Sequence, residues 1–277
     1  MKKLYETPMV EPGQEDPVRQ RLLDVARDKP GELSIVDYQL FSGMAMTREP
    51  VTDDARAYIV TKHKEELHEF FRELTLGIKD REVDEFSDVL WTVASLLENT
   101  TIGHEDQTIR PQLAVFLHAA LDLNDMHDVE NFYFEEGGIS IPTLAGISNC
   151  DLSRYRSVFF GPYRKMPYIR PDTMKPAAMT IDQLQELTAQ NLGVMEDAVK
   201  LLSDNPSAPM EAKYHVGVAM GFACADTALS LAAVMQRDFG NDVVIETYLH
   251  SIRKISERVE SGTVDKQLRP DTDKAQT

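Results

Sequence analysis

The sequence predicts an all-α protein. Apolar residues recur at helical spacing through most of the chain, and the periodic segments are bounded by capping residues and by Pro or Gly. No stretch of useful length alternates apolar and polar residues as a strand does. At 277 residues the chain can bury a substantial core as one large domain or two small ones.

The first helix is expected over 16–27, where Val18, Leu22, Leu23 and Val25 lie among charges and Lys29-Pro30-Gly31 ends the pattern. Ser34 then caps a second helix, 35–46, which closes before Pro50. Thr52, Asp53 and Asp54 open the longest pattern, which runs to about Thr75 and breaks at Gly77. Leu67, Phe70, Phe71, Leu74 and Ile78 mark its buried face. Asp80 and Arg81 start the next helix, with Val83, Phe86, Val89, Leu90, Val93 and Leu97 on its apolar face as far as Asn99. Two amphipathic helices joined by so few residues should pack antiparallel.

Pro111 opens a further helix to about Leu123. The pattern fails from 135 to 175, and helices resume over 181–202, 210–236 and 243–259. The expected organisation is a helical unit over 1–134, an irregular basic and aromatic connector over 135–176, a second helical unit over 177–262 and a polar tail over 263–277.

Charge narrows the function classes. Lys and Arg number 29 against 46 Asp and Glu, a formal charge of −17. Such a surface repels a phosphate backbone, so a nucleic-acid polymer is not an expected partner. A small polyphosphate remains compatible, because divalent cations held by carboxylates bridge two negative partners. Cys150 and Cys224 are too few and too isolated for a disulfide framework or a thiolate metal site, which fits a reducing compartment. The lysines near the N-terminus have no apolar stretch behind them, unlike a signal peptide. No window approaches the roughly 18 apolar residues of a membrane span. The expectation is a soluble cytoplasmic protein with no membrane partner.

Four acids are the candidate chemistry. Glu66 and Glu69 stand three residues apart on one helix, and Glu85 and Asp88 repeat that spacing on the next. Antiparallel packing would bring both pairs to one cavity, rich in the hard oxygen ligands that magnesium prefers. Four acids held that close would repel one another without a cation. Spacing alone leaves open that they are solvated helix faces, since Glu65, Glu73, Glu82 and Asp84 lie beside them.

The wording around the pairs is more specific. Lys64-Glu65-Glu66-Leu67-His68-Glu69-Phe70 is followed sixteen residues after Glu69 by Glu85, within Asp84-Glu85-Phe86-Ser87-Asp88-Val89-Leu90-Trp91. This resembles the MazG family of nucleotide pyrophosphohydrolases, whose signature is E-x-x-E on one helix and E-x-x-D on the next, often continuing Asp-Val-Leu-Trp. Val36-Asp37-Tyr38-Gln39 is similar to the tyrosine-glutamine pair that opens many such domains, so the resemblance covers about 34–99. The chain departs from many relatives at His68, Phe70 and Phe71, where small residues are common, and at Ser87, where Gly is common.

The resemblance implies a MazG-like helical bundle in which Glu66, Glu69, Glu85 and Asp88 are both metal ligands and the catalytic set. They would bind Mg2+, with Mn2+ as a substitute, and act on a nucleoside triphosphate to give the monophosphate and pyrophosphate. It also implies a homo-oligomer, commonly a dimer. Glu65 is a further candidate for orienting the attacking water. Tyr38, Gln39, Lys62 and Trp91 are candidate substrate contacts.

The connector from Asp151 to Lys175 carries six basic residues against two acidic ones, interleaved with Tyr155, Phe159, Phe160, Tyr163 and Tyr168. Arg164 and Lys165 join the candidate substrate contacts on that ground, since arginines grip phosphate and rings stack on bases. The same residues equally suit pairing with the acidic helices. A second, degenerate copy is suggested by Asp226 to Met235, which aligns with Asp88 to Leu97 but has Ala223 where the glutamate would stand. Glu196 and Asp197 are the candidate remnant of its first pair.

Two other readings carry different chemistry. Glu65-x-x-His68 has the spacing of di-iron bundles, but no other histidine has a glutamate three residues before it. A non-catalytic nucleotide-sensing or protein-interaction module on the same fold is the alternative function.

Overall fold

The computed structural model describes residues 17–46, 53–100, 102–104, 107–109, 111, 113, 116–117 and 176–261. These residues are helical apart from short turns and one small hairpin. The helices are α1 (Pro17–Asp28), α2 (Ile35–Met46), α3 (Asp53–Leu74), α4 (Lys79–Glu98), α5 (Ile181–Asp204), α6 (Met210–Phe239) and α7 (Val243–Ser261). The expected all-α class holds. Leu113, Phe116 and Leu117 are helical within the segment expected from Pro111, and the rest of that segment lies outside the described residues. So do the tail 263–277 and all of the connector except Pro176, which begins a 3₁₀ turn, Pro176–Ala178.

Local chemistry sets the boundaries. Ser34 Oγ accepts from the Asp37 amide at 3.1 Å while the Asp37 carboxylate accepts from the Ser34 hydroxyl at 2.9 Å, a reciprocal cap at the start of α2. Thr180 and Gln183 make the equivalent box at α5. Gly77, at φ +66°, turns the chain between α3 and α4 in a conformation that favours glycine. Ile78 consequently leaves the face shared by Leu67, Phe70, Phe71 and Leu74 and is 44% exposed, against its expected burial.

The sequence reading expected no strand, yet β1 (Ile102–His104) and β2 (Gln107–Ile109) pair antiparallel. Three residues per strand are too few to show an alternating pattern. A second correction concerns α6: Ala212–Phe239 is long and apolar enough by composition to cross a membrane, although 89% of its most apolar window is buried within the bundle.

Helix α4 is the axis of the fold. Every residue from Phe86 to Leu97 is buried, so this helix is enclosed all round rather than on one stripe. Its hydroxyls are satisfied locally or across helices: Ser87 donates to Asp84 O at 2.6 Å, Thr92 to Val89 O at 2.9 Å and Ser95 to Ser42 O at 3.0 Å.

Pairings along α4 give the direction of each neighbour. Arg56 with Asn99, His63 with Thr92 and Arg81 with Glu73 make α3 antiparallel to it, as expected. Gln39 with Glu98 and Ser42 with Trp91 make α2 antiparallel. Thr100 with Met220, and the field of Arg237 on Glu82, make α6 antiparallel as well. Lys79 with Glu246, Asp84 with His250 and Trp91 with Arg258 show that α7 runs parallel to α4. α5 packs against both α3 and α6. One continuous apolar core therefore draws on helices from both halves of the chain.

Glycine positions test this packing. A Cβ on Gly221 would sit 2.1 Å from Phe116 Cε2, and Phe116 is itself held edge-on by Phe222 at 4.8 Å. Gly193, inside α5, has open space around it. Gly221→Ala should lower stability by about 1–3 kcal/mol through overpacking, whereas Gly193→Ala should raise it by about 0.5–1 kcal/mol. Urea unfolding of both variants checks the contrast, and equal effects would contradict this packing.

Candidate metal centre

The antiparallel α3–α4 pair stacks its side chains in layers. Arg81 meets Glu73 at the turn end, and His63 meets Thr92 deeper along the pair. The carboxylates occupy the layers between. Carboxylate oxygens of Glu66, Glu85 and Asp88 all lie within 4.8 Å of one another. Glu66 and Asp88 are buried and Glu85 is half-buried. Glu69, also half-buried, stands outside that group of three, although its charge acts on both Glu66 and Glu85.

The electrostatic consequence is local crowding. Burial, with repulsion from Glu69, Asp84, Asp88 and Glu66, pushes the Glu85 carboxyl up to about 7. Burial also raises Glu66, opposed by its contact with Lys62 and reinforced by Asp88 and Glu69. One oxygen of Asp88, Oδ1, is buried without a hydrogen-bond partner, and the Arg258 guanidinium is 4.0 Å from it. A buried carboxylate oxygen without a hydrogen bond is costly, and the guanidinium at 4.0 Å offsets that cost without bonding to it. Three carboxylate oxygen donors this close together could hold a metal ion.

Facing this acidic layer is a wall of cations. Lys62 Nζ contacts Glu66 at 2.9 Å and Glu65 at 3.2 Å. From α7, Lys254 Nζ contacts Asp88 at 2.5 Å and Asp84 at 2.7 Å, and His250 Nε2 lies 3.0 Å from Asp84. Burial alone would lower both lysine ammonium groups. Glu66 and Glu65 around Lys62, and Asp88 and Asp84 around Lys254, more than offset it and leave both above the ordinary value. Asp84, which burial would raise, is held below the usual carboxylate range by Lys254 and His250.

The other expected contacts are placed differently. Tyr38 is fully buried in the core, edge-on to Tyr248 at 5.1 Å. Its hydroxyl donates to Ser251 Oγ at 2.7 Å, because the Ser251 proton is directed to Ser87 O. Gln39 is also buried: its amide nitrogen donates to Pro111 O and Glu98, and its Oε1 accepts from the Leu113 amide at 2.6 Å. Both residues tie α2 to its neighbours. Trp91 is 4% exposed, donates to Ser42 O at 3.2 Å, and carries the Arg258 guanidinium over its ring at 4.5 Å. Lys62 is the expected substrate contact that lies on the carboxylates. Arg164 and Lys165 fall outside the described residues. Glu65 is exposed and paired with Lys62.

Sequence reasoning missed Lys254, Arg258 and His250. A signal existed, since the three recur every fourth residue and so share one face of α7. In the second half, Asp226 is fully buried and accepts from Asn191 Nδ2 at 2.6 Å. Glu196 and Asp197 are exposed, and Glu196 lies 4.0 Å from Lys64. Comparison with protein-family models, with curated proteins and with solved structures finds no match to this chain.

Glu82 is a second acid shifted to about 7, by burial and the field of Asp238 against that of Arg237. It is 1% exposed, neither carboxylate oxygen has a hydrogen-bond partner, and it lies outside the group of three. A carboxyl raised above its unfolded value of 4.5 favours folding while protonated, so its contribution is lost as pH rises from about 4.5 to 7. Glu82→Gln should therefore stabilise the protein relative to wild type at pH 8, by on the order of 1–3 kcal/mol more than at pH 5. Melting curves across that range check it, and a difference independent of pH would contradict the assignment.

Proposed function

We propose that the chain is a divalent-metal-dependent nucleoside triphosphate pyrophosphohydrolase, releasing a nucleoside monophosphate and pyrophosphate. The observation that carries this reading is the convergence of Glu66, Glu85 and Asp88, whose carboxylate oxygens lie within 4.8 Å of one another. The E-x-x-E and E-x-x-D spacing that resembles the MazG family, and the antiparallel α3–α4 pairing, support it further.

In this reading Glu66, Glu85 and Asp88 hold magnesium, with manganese as a substitute. The bound metal supplies charge neutralisation on phosphate oxygens and lowers the pKa of water. Lys62, Lys254 and Arg258 are within reach of the same layer and grip the triphosphate oxygens. Glu69, on the same layer but outside the group of three, orients the attacking water and accepts its proton. Water oxygen bonds to the α-phosphorus, the bond from that phosphorus to the bridging oxygen breaks, and the electron pair leaves with pyrophosphate. A cationic wall beside the triphosphate is suited to charge that moves onto the leaving group.

The second helical pair, α5–α6, is read as a degenerate copy of α3–α4. The Asn191–Asp226 bond supports this, because a side-chain amide donates there to the aspartate aligned with Asp88, where α3 offers Glu66. The protein is proposed to act in the cytoplasm as a homo-oligomer, without nucleic-acid polymer or membrane partners.

The test is pyrophosphate release from a panel of ribo- and deoxyribonucleoside triphosphates with magnesium. Wild type should release it from at least one member, and Glu85→Gln and Asp88→Asn should each lower kcat by about 100-fold or more. Turnover unaffected by both substitutions would exclude this site. No turnover, with a melting temperature that still rises on adding a nucleotide, would favour the nucleotide-sensing alternative.

A further inference from the structure

The acidic layer has cationic side chains seated in it. Lys62 reaches Glu66 from one turn earlier on α3, and Lys254 reaches Asp88 from α7, so ammonium groups approach the layer from both sides. Neither lysine is a loose surface group: their side chains are 29% and 20% exposed. Glu66 and Asp88 are two of the three acids whose oxygens converge, so any metal bound there competes with the lysines for the same carboxylates. The carboxylates around the layer are Glu66, Glu69, Asp84, Glu85 and Asp88, and the fixed cations on them are Lys62, Lys254 and Arg258. A divalent ion bound by these carboxylates competes with the cations already on them. It also leaves two ammonium groups with their anionic partners withdrawn.

We propose that Lys62 and Lys254 are resident counter-ions of the carboxylate layer, given up to a polyphosphate when a divalent metal takes the carboxylates. Metal alone must displace them into poorly compensated positions, and polyphosphate alone must pull them off carboxylates that then repel one another. Together the two ligands satisfy every group, so they bind cooperatively, and the coupling is reciprocal. The device weakens metal binding until an oligophosphate arrives. It rests on the metal reading of this site and adds the role of the lysines to it.

The experiment is Mn2+ binding to the whole chain by calorimetry and electron paramagnetic resonance, with and without pyrophosphate as the anionic probe. Pyrophosphate should tighten Mn2+ binding to wild type. Lys254→Met and Lys62→Met should each bind Mn2+ about five- to tenfold more tightly than wild type without pyrophosphate, and each should gain less from adding it. Lys64→Met removes the same charge two residues from Lys62, on a lysine that is 66% exposed and nearest Glu196, and should change neither quantity. Two lysine variants on different helices keep the test usable if one fails to fold.

Unchanged or weaker Mn2+ binding in a folded Lys254→Met or Lys62→Met protein would overturn the proposal, as would an equal gain in Lys64→Met. Glu85→Gln separates this from the site itself. If Mn2+ binds that variant as it binds wild type, the metal centre is elsewhere, and the reading on which the lysine exchange rests falls with it.

Discussion

Helices α3 and α4 hold like charges together inside a packed bundle. α4 is enclosed on every side from Phe86 to Leu97, yet its N-terminal half presents Glu85 and Asp88 toward Glu66 on α3. Three carboxylates within 4.8 Å, two of them buried, cannot all be ionised without compensation. The elements that touch this layer supply it. Lys62 projects along α3 and Lys254 crosses from α7, whose parallel course beside α4 puts its basic face against Asp84 and Asp88.

Rigidity follows from the same arrangement. The acids lie on two helices locked by an interior that includes Phe70, Phe86, Val89 and Leu90, rather than on loops. The neighbouring layer is fixed by His63, fully buried beside Thr92 at 2.8 Å, with its pKa lowered by burial to about 4 and its ring therefore neutral. A neutral imidazole there adds no further charge to the layer above it. Tyr38, Ser251 and Ser87 form a hydrogen-bonded chain that fixes α2 and α7 to α4. The position of the α7 cations thus depends on core contacts well away from the carboxylates, which is how a site of this kind keeps its geometry.

Much of the bundle was legible because periodicity and caps are local signals. α2 is bounded where Ser34 and the approach to Pro50 indicate, and the short turn at Gly77 forces the α3–α4 hairpin that brings the two acid pairs together. Spacing alone could not rank four acids on those helices. Glu69 sits on the same face as Glu66, but only the packed structure separates it from the three that converge. Tyr38 and Gln39 illustrate the reverse problem: polar residues within a motif serve a buried network here, and burial is set by helices distant in sequence. Lys254 and Arg258 were hidden for the same reason, since nothing local to α7 says that it will lie beside α4, some 160 residues earlier. Three-residue strands were below the length at which alternation can be seen.

The exchange of Lys62 and Lys254 for a divalent metal at Glu66, Glu85 and Asp88 can be seen in a crystal of the protein grown with Mn2+ and pyrophosphate and examined by anomalous scattering at the manganese edge. The expected result is an anomalous peak about 2.0–2.3 Å from oxygens of those three residues, with Lys62 and Lys254 turned from the carboxylates toward pyrophosphate. A site with both lysines still on Glu66 and Asp88, and manganese absent from that layer, would contradict it.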